Sequence, residues 1–325
     1  MTDAARGHSA ATLYEASPDG LACDPALRSV WPGARAARPA FTGQGIGGDK
    51  EDGVSSGSRP TSEQLNLRVD GVSLKVATVR RDGELAPIVF LHGFGSTKED
   101  YADIALQPAF ARRPFLTYDA PGCGETSCED LSKISIPFLV KTAQTVLQHA
   151  GIRRFHLVGH SMGGLTALLL AHQDPGRGLS FVDIEGNLAP EDCFLSRQAV
   201  THPSDDDESF FDDFIERTRR SPFYSTALYA ASLRHKVRPD AVRGIFESMV
   251  DLSDHGDLMP KFLSLPCPRM FMYGEQNSSL SYLTKLSANG VELAEIPHSA
   301  HFPMYSNPVA MWERIAEFHS RGKPD

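Results

Sequence analysis

The 325-residue chain has no long run of basic residues, no apolar stretch long enough to span a bilayer and no C-x-x-C pair. Each absence narrows what the protein can be. Lys and Arg number 32 against 41 Asp and Glu, a net charge of -9, so nothing in the charge pattern attracts nucleic acid or an anionic membrane. The missing apolar run argues against a helical membrane span. The five cysteines (Cys23, Cys123, Cys128, Cys193 and Cys267) are odd in number and lack metal-binding spacing. They read as reduced thiols of a cytoplasmic protein rather than as a disulfide framework. The first residues show no basic segment followed by an apolar core, so a secretory leader is not expected and a cytoplasmic location is the default. What is present is ordinary for a globular protein: 41% hydrophobic and 22% charged residues, over a length that fits one large domain with an insertion or two smaller domains.

Along the chain the grammar changes three times. Residues 1–61 are rich in Ala, Gly, Ser, Pro and Asp without sustained periodicity, and read as a flexible extension with a short helix near Pro25–Ser29. Gly43-x-Gly-x-x-Gly48 matches a dinucleotide fingerprint by letter, but no strand precedes it, so no nucleotide cofactor is expected. From residue 62 to 187 strands and helices alternate. Leu65–Val69 and Val72–Val79 form an alternating pair around Asp70-Gly71, which predicts a hairpin. Pro87–Leu91, Pro114–Tyr118, Phe155–Val158 and Leu179–Ile184 are short apolar runs of the kind buried on both faces of a sheet. Between residues 188 and 261 the alternation stops. Phe210, Phe211, Phe214 and Ile215 at helical spacing, then Ile245, Phe246 and Met249, predict a helical insertion, with Asp205–Glu208 a solvated helix start. The pattern resumes over 262–325 with Arg269–Tyr273, Val291–Ile296 and a closing helix carrying Met311, Trp312, Ile315 and Phe318. The fold class is therefore α/β, a mostly parallel sheet with helices on both faces, whose ligands bind beyond the carboxyl ends of the strands.

The centre of the chain is Gly159-His160-Ser161-Met162-Gly163, a G-x-S-x-G turn between a buried strand and an apolar helix. Reversing a strand into a helix so abruptly strains the serine backbone and pushes its hydroxyl outward. Side chains two positions before and after would collide, hence the glycines. The structural alternative is a glycine-rich loop with Ser161 as an ordinary helix N-cap. An attacking serine needs a base, and a third group orienting that base. For the third group the sequence offers Asp183 and Glu185 at the end of one strand, and Glu275 in the loop Gly274-Glu-Gln-Asn-Ser278. His298-x-x-His301 lacks the further ligands of a metal site, and no metal is expected.

Together, His92-Gly-Phe-Gly95, Asp119-x-x-Gly122-x-Gly124, Gly159-His-Ser-Met-Gly-Gly164 and Ala300-His301-Phe-Pro resemble the α/β-hydrolase family from about Leu65 to Phe318. The resemblance implies the α/β-hydrolase fold with a helical lid insertion, Ser161 as nucleophile and His301, in preference to His298, as base. It implies the N–H groups of Phe94 and Met162 as oxyanion hole, with His92 and Asp119 as loop and turn formers. The acid departs from pattern. Most of the family carries an Asp in the loop where this chain has Asn277, and an amide cannot stabilise an imidazolium as a carboxylate does. A minority, including the zearalenone lactone hydrolases, carries a Glu after the preceding strand. Glu185 matches that position, with Glu275 and Asp183 as alternatives. The resulting expectation is a cofactor-independent serine hydrolase acting on a small-molecule carboxylic ester or lactone with an apolar or aromatic substrate. Carbon–carbon bond or amide hydrolysis, or a weakly catalytic ligand-binding receptor on the same fold, are the rivals. An epoxide hydrolase or dehalogenase would need Asp at position 161.

Overall fold

In the computed structural model, which describes residues 59–202 and 206–321, the sheet begins with a hairpin. Strands β1 (Thr61–Val69) and β2 (Val72–Arg81) pair antiparallel around Asp70 and Gly71. Both turn residues have positive φ, 47° and 85°, the conformation that matches a two-residue turn to the twist of its strands. The expected extension therefore ends by residue 60, because Thr61 already pairs with Arg80. The rest of that expectation, including Pro25–Ser29, Gly43–Gly48 and Cys23, lies outside the described residues.

Strand β3 (Ile88–Leu91) follows, then α1 (Glu99–Ala102), β4 (Phe115–Tyr118), the two-residue β5 (Ser127–Cys128) and α2 (Ile136–His149). Next come β6 (Phe155–His160), α3 (Met162–Gln173) and β7 (Gly178–Ile184). After the insertion, β8 (Arg269–Gly274) and β9 (Glu292–Ile296) complete a nine-stranded sheet in the order β1-β2-β4-β3-β6-β7-β8-β9, with β5 edging β2. The pairs among β1, β2 and β4 are antiparallel, and every pair from β4 to β9 is parallel. Strand β4 lies on one side of β3 and β6 on the other. The chain thus changes direction across the sheet at β3, and a crevice opens beyond the carboxyl ends of β3 and β6. All four residues of β3 are buried, as a strand covered on both faces requires. Phe90 stacks on Tyr101 of α1 and meets Trp312 edge-on.

Between β7 and β8 the chain builds α4 (Arg197–Thr201), α5 (Asp207–Arg219), α6 (Thr226–Lys236), α7 (Val242–His255) and α8 (Leu258–Ser264). Asp206 caps α5 through the Ser209 N–H, and Asp207 and Glu208 sit in its positive first turn. The aromatic stripe of this segment is its own core. Phe210, Phe211 and Phe214 are fully buried, and Phe214 and Phe246 both pack on Phe94, at ring distances of 6.0 and 4.5 Å. Three helices close the chain: α9 (Leu283–Ala288), α10 (Pro303–Ser306) and α11 (Pro308–Ser320). Among the described residues no helix is long and apolar enough to cross a membrane, and the four described cysteines are free thiols.

Candidate active site

Ser161 is the single residue between β6 and α3. Its backbone has φ 51° and ψ -119°, a conformation costing a non-glycine residue about 1–3 kcal/mol. Neighbouring bonds hold it there: its N–H donates to the Ile184 carbonyl at 3.0 Å, and its carbonyl accepts the Leu165 N–H at 2.9 Å. The glycines answer to space. A Cβ on Gly159 would stand 2.6 Å from the Gly163 carbonyl oxygen, and one on Gly163 would run into the carbonyls of Leu91 and His92. The elbow therefore wedges between β3 and α3.

One strand over, Glu185 also has positive φ, 48°, and its N–H bonds the Met272 carbonyl at 3.0 Å. That backbone aims its carboxylate across the carboxyl end of β8. Oε1 accepts the Gly274 N–H at 2.7 Å, while Oε2 accepts both His301 Nδ1 at 2.8 Å and Asn277 Nδ2 at 2.7 Å. The side chains are 5% and 11% exposed for Glu185 and His301, so the pair lies largely outside solvent screening. With Nδ1 donating to the carboxylate, the neutral imidazole has Nε2 free to accept a proton.

The alternatives fall elsewhere. Asp183 is fully buried and bonds the Gly186 N–H through Oδ1, while Oδ2 has no partner among the described residues. Burial pushes its carboxyl well above the usual range, a site for an uncharged acid. Glu275 accepts the N–H of His298, whose side chain is 83% exposed. The structure thus joins Glu275 to the outward histidine and Glu185 to the inward one.

The two remaining loops are braced by buried polar groups. His92 accepts the Ala120 N–H at Nε2 and so donates through Nδ1 to the Gly93 carbonyl, a loop-forming role. Asp119 does more than form a turn. It takes the backbone N–H groups of Lys98 and Glu125 and pairs with the Lys98 ammonium at 3.0 Å, both side chains being almost wholly buried. Burial alone would lower the Lys98 pKa, but Glu99, Glu125 and Asp119 around the ammonium raise it. The loop bearing Phe94 is thereby tied to the loop after β4. Tyr229 of α6 donates to the Phe94 carbonyl at 3.0 Å. The Phe94 N–H makes no hydrogen bond among the described residues, and Met162 is the first residue of α3, where the N–H has no carbonyl a turn below.

Ser161 and His301 line one cavity, closed over by Phe94, Tyr229, Phe246 and Phe302. Its volume of about 20 Å³ holds roughly one water. Phe194, from the start of the insertion, meets the His301 ring in a T-shaped contact, with ring centroids 5.4 Å apart. Asp192 reaches the same cavity and receives the Leu188 and Ala189 N–H groups and the Tyr282 hydroxyl. Burial pushes its carboxyl up to about 6 against those bonds. His160, inside the elbow itself, is fully buried and donates through Nε2 to the His301 carbonyl at 2.7 Å. Its pKa falls well below the ordinary histidine value, first through burial and then through the nearby His301. Sequence reasoning gave no individual role to His160, Tyr229 or Asp192. It saw Asn277 only as a residue that fails to be an acid.

Residues 88–314 match the alpha/beta hydrolase family. The chain is 26% identical over 252 residues to a 2-succinyl-6-hydroxy-2,4-cyclohexadiene-1-carboxylate synthase of Serratia proteamaculans, covering 71% of this chain and 92% of the other. It is 27% identical over 263 residues to a pimeloyl-[acyl-carrier protein] methyl ester esterase of Aeromonas salmonicida, covering 74% and 98%. Among solved structures, a thermophilic esterase from Thermogutta terrifontis superposes with a TM-score of 0.62 at 18% identity, covering 80% of this chain and 98% of that one.

Proposed function

The chain belongs to the α/β-hydrolase family, and from that premise we propose that it is a serine hydrolase cleaving a carboxylic ester or lactone through an acyl-enzyme. The observation that carries the reading is the 2.8 Å bond from His301 Nδ1 to Glu185, with His301 and the strained Ser161 lining one cavity. In this mechanism Ser161 Oγ attacks the carbonyl carbon while His301 Nε2 takes its proton. Glu185 stabilises the imidazolium and fixes its tautomer. The N–H groups of Phe94 and Met162 receive the oxyanion, usually the largest electrostatic contribution to such a reaction. His301 returns the proton to the leaving alkoxide, then deprotonates a water that releases the acyl group and restores Ser161.

The insertion over 188–261 acts as a lid. A cavity the size of one water admits no ester, so the aromatic cover over Ser161 must part for substrate. Phe94, Phe194, Tyr229, Phe246 and Phe302 would then line the acyl or alkoxy group, favouring an apolar or aromatic substrate. The experiment is turnover of a chromogenic aryl ester by the parent chain and by Ser161→Ala. Loss of turnover with unchanged melting temperature supports the proposal. Equal turnover in the two proteins would remove it.

A further inference from the structure

Resting on that reading of the site, we infer that Asn277 is a positioning residue for the acid. It stands where most of the family carries the acid itself, and here its amide donates to the relocated carboxylate.

The short helical turn Glu275–Asn277 follows β8 directly. Its three side chains hold three different walls of the site. Glu275 accepts the His298 N–H at 2.7 Å, which fixes the loop that ends in His301. Gln276 accepts the Tyr224 N–H at 3.1 Å, from the insertion. Asn277 donates to Glu185 at 2.7 Å. Only the third reaches the acid, and it does so on Oε2, the oxygen that also receives His301 Nδ1 at 2.8 Å. The other oxygen is held by the Gly274 N–H.

A carboxylate on a glutamate stem has several rotatable bonds, so one backbone donor at Oε1 leaves the plane of the group free to swing. A second donor at Oε2 fixes that plane and keeps Oε2 facing the imidazole. Both bonds to Oε2 end on one atom, so the Asn277 and His301 nitrogens lie within two hydrogen-bond lengths of each other. A carboxylate at 277 could face His301 only by crowding Glu185. With Glu185 in place, the position requires a donor, and an asparagine amide supplies one at the size of an aspartate. Asn277 does not line the cavity, so its contribution falls on the chemical step rather than on substrate binding.

The test uses the full chain and reads two rates across pH: hydrolysis of a chromogenic aryl ester, and phosphonylation by a fluorophosphonate, which needs an activated serine but no knowledge of the natural substrate. The proteins are the parent, Ser161→Ala, Glu185→Gln, Asn277→Ala and Asn277→Asp, with melting temperatures recorded for each. Asn277→Ala should lose about tenfold to a hundredfold in kcat, the range for a hydrogen bond to a charged group, with KM little changed. Asn277→Asp should be worse than Asn277→Ala near neutral pH. Two carboxylates at that spacing share a proton, so the acidic limb of its pH profile should move up by about one unit or more. A residue that merely fills space gives the opposite order, because aspartate is the closer match in shape. Asn277→Ala with parental kcat and pH profile, beside an inactive Glu185→Gln, overturns the inference and leaves the Ser161 reading standing. Undiminished phosphonylation and turnover in Ser161→Ala would remove both together.

Discussion

Replacing Glu185 by glutamine changes one charge and almost no volume, and the bonds around it make the outcome specific. In the parent, both carboxylate oxygens accept: Oε1 from Gly274, Oε2 from His301 and Asn277. A glutamine has one acceptor and one donor end. With its oxygen toward His301, its NH2 faces the Gly274 N–H and two donors meet. Turned the other way, its NH2 faces both Asn277 and His301 Nδ1, and the imidazole must then carry its proton on Nε2, where it cannot accept one from Ser161. Either orientation also removes the anion that stabilises the imidazolium. Acid replacements in other triads lower turnover by roughly 10²–10⁴-fold, which corresponds to about 3–5 kcal/mol of transition-state stabilisation. The assay is kcat for a chromogenic ester alongside thermal unfolding of the same preparation. A Glu185→Gln protein with parental kcat per folded molecule and only a lower melting temperature would refute the reasoning and reduce Glu185 to a loop brace.

The two loop histidines should separate cleanly: His301→Ala should be about as damaging as loss of the serine, since the groups act together, whereas the exposed His298 should tolerate alanine with little change in kcat. Asp192 predicts a pH dependence of stability. Its folded-state pKa is raised to about 6 by burial, above the usual value near 4, so the folded chain binds this proton more tightly than the unfolded one. Its contribution is fully present below about pH 4 and is lost as pH rises through about 6. Denaturant titrations of parent and Asp192→Asn should show a stability difference that changes across that window and is flat above it.

Much of the site was legible because it is local. Asp70-Gly71 announces the hairpin, and Gly159 is dictated by the Gly163 carbonyl that the elbow itself brings close, although Gly163 answers to the carbonyls of Leu91 and His92 on the neighbouring strand and loop. Glu185 could be named as a candidate because the usual place of the acid held an amide, and it is the carboxylate that meets His301. What stayed hidden depends on partners far apart in sequence. No periodicity connects Asn277 to Glu185, Tyr229 to the Phe94 carbonyl, or His160 to the His301 carbonyl. Asp119 read as a turn residue because turns are its commonest setting. Its buried pairing with Lys98 follows from two loops meeting at the end of the sheet. The aromatic residues of the insertion were equally ambiguous, since a stripe at helical spacing serves the insertion's own core as well as a substrate. Phe210 and Phe211 do the first, while Phe246 lines the cavity.

A nucleophilic Ser161 becomes covalently acylated during turnover, and peptide mass spectrometry reads that adduct. The full chain is treated with a fluorophosphonate, or rapidly quenched during turnover of an aryl ester, then digested and mapped. One adduct is expected, on the peptide spanning Ser161, absent from Ser161→Ala and formed far more slowly in His301→Ala. An adduct confined to another residue, or ester turnover that continues undiminished in Ser161→Ala, would contradict it.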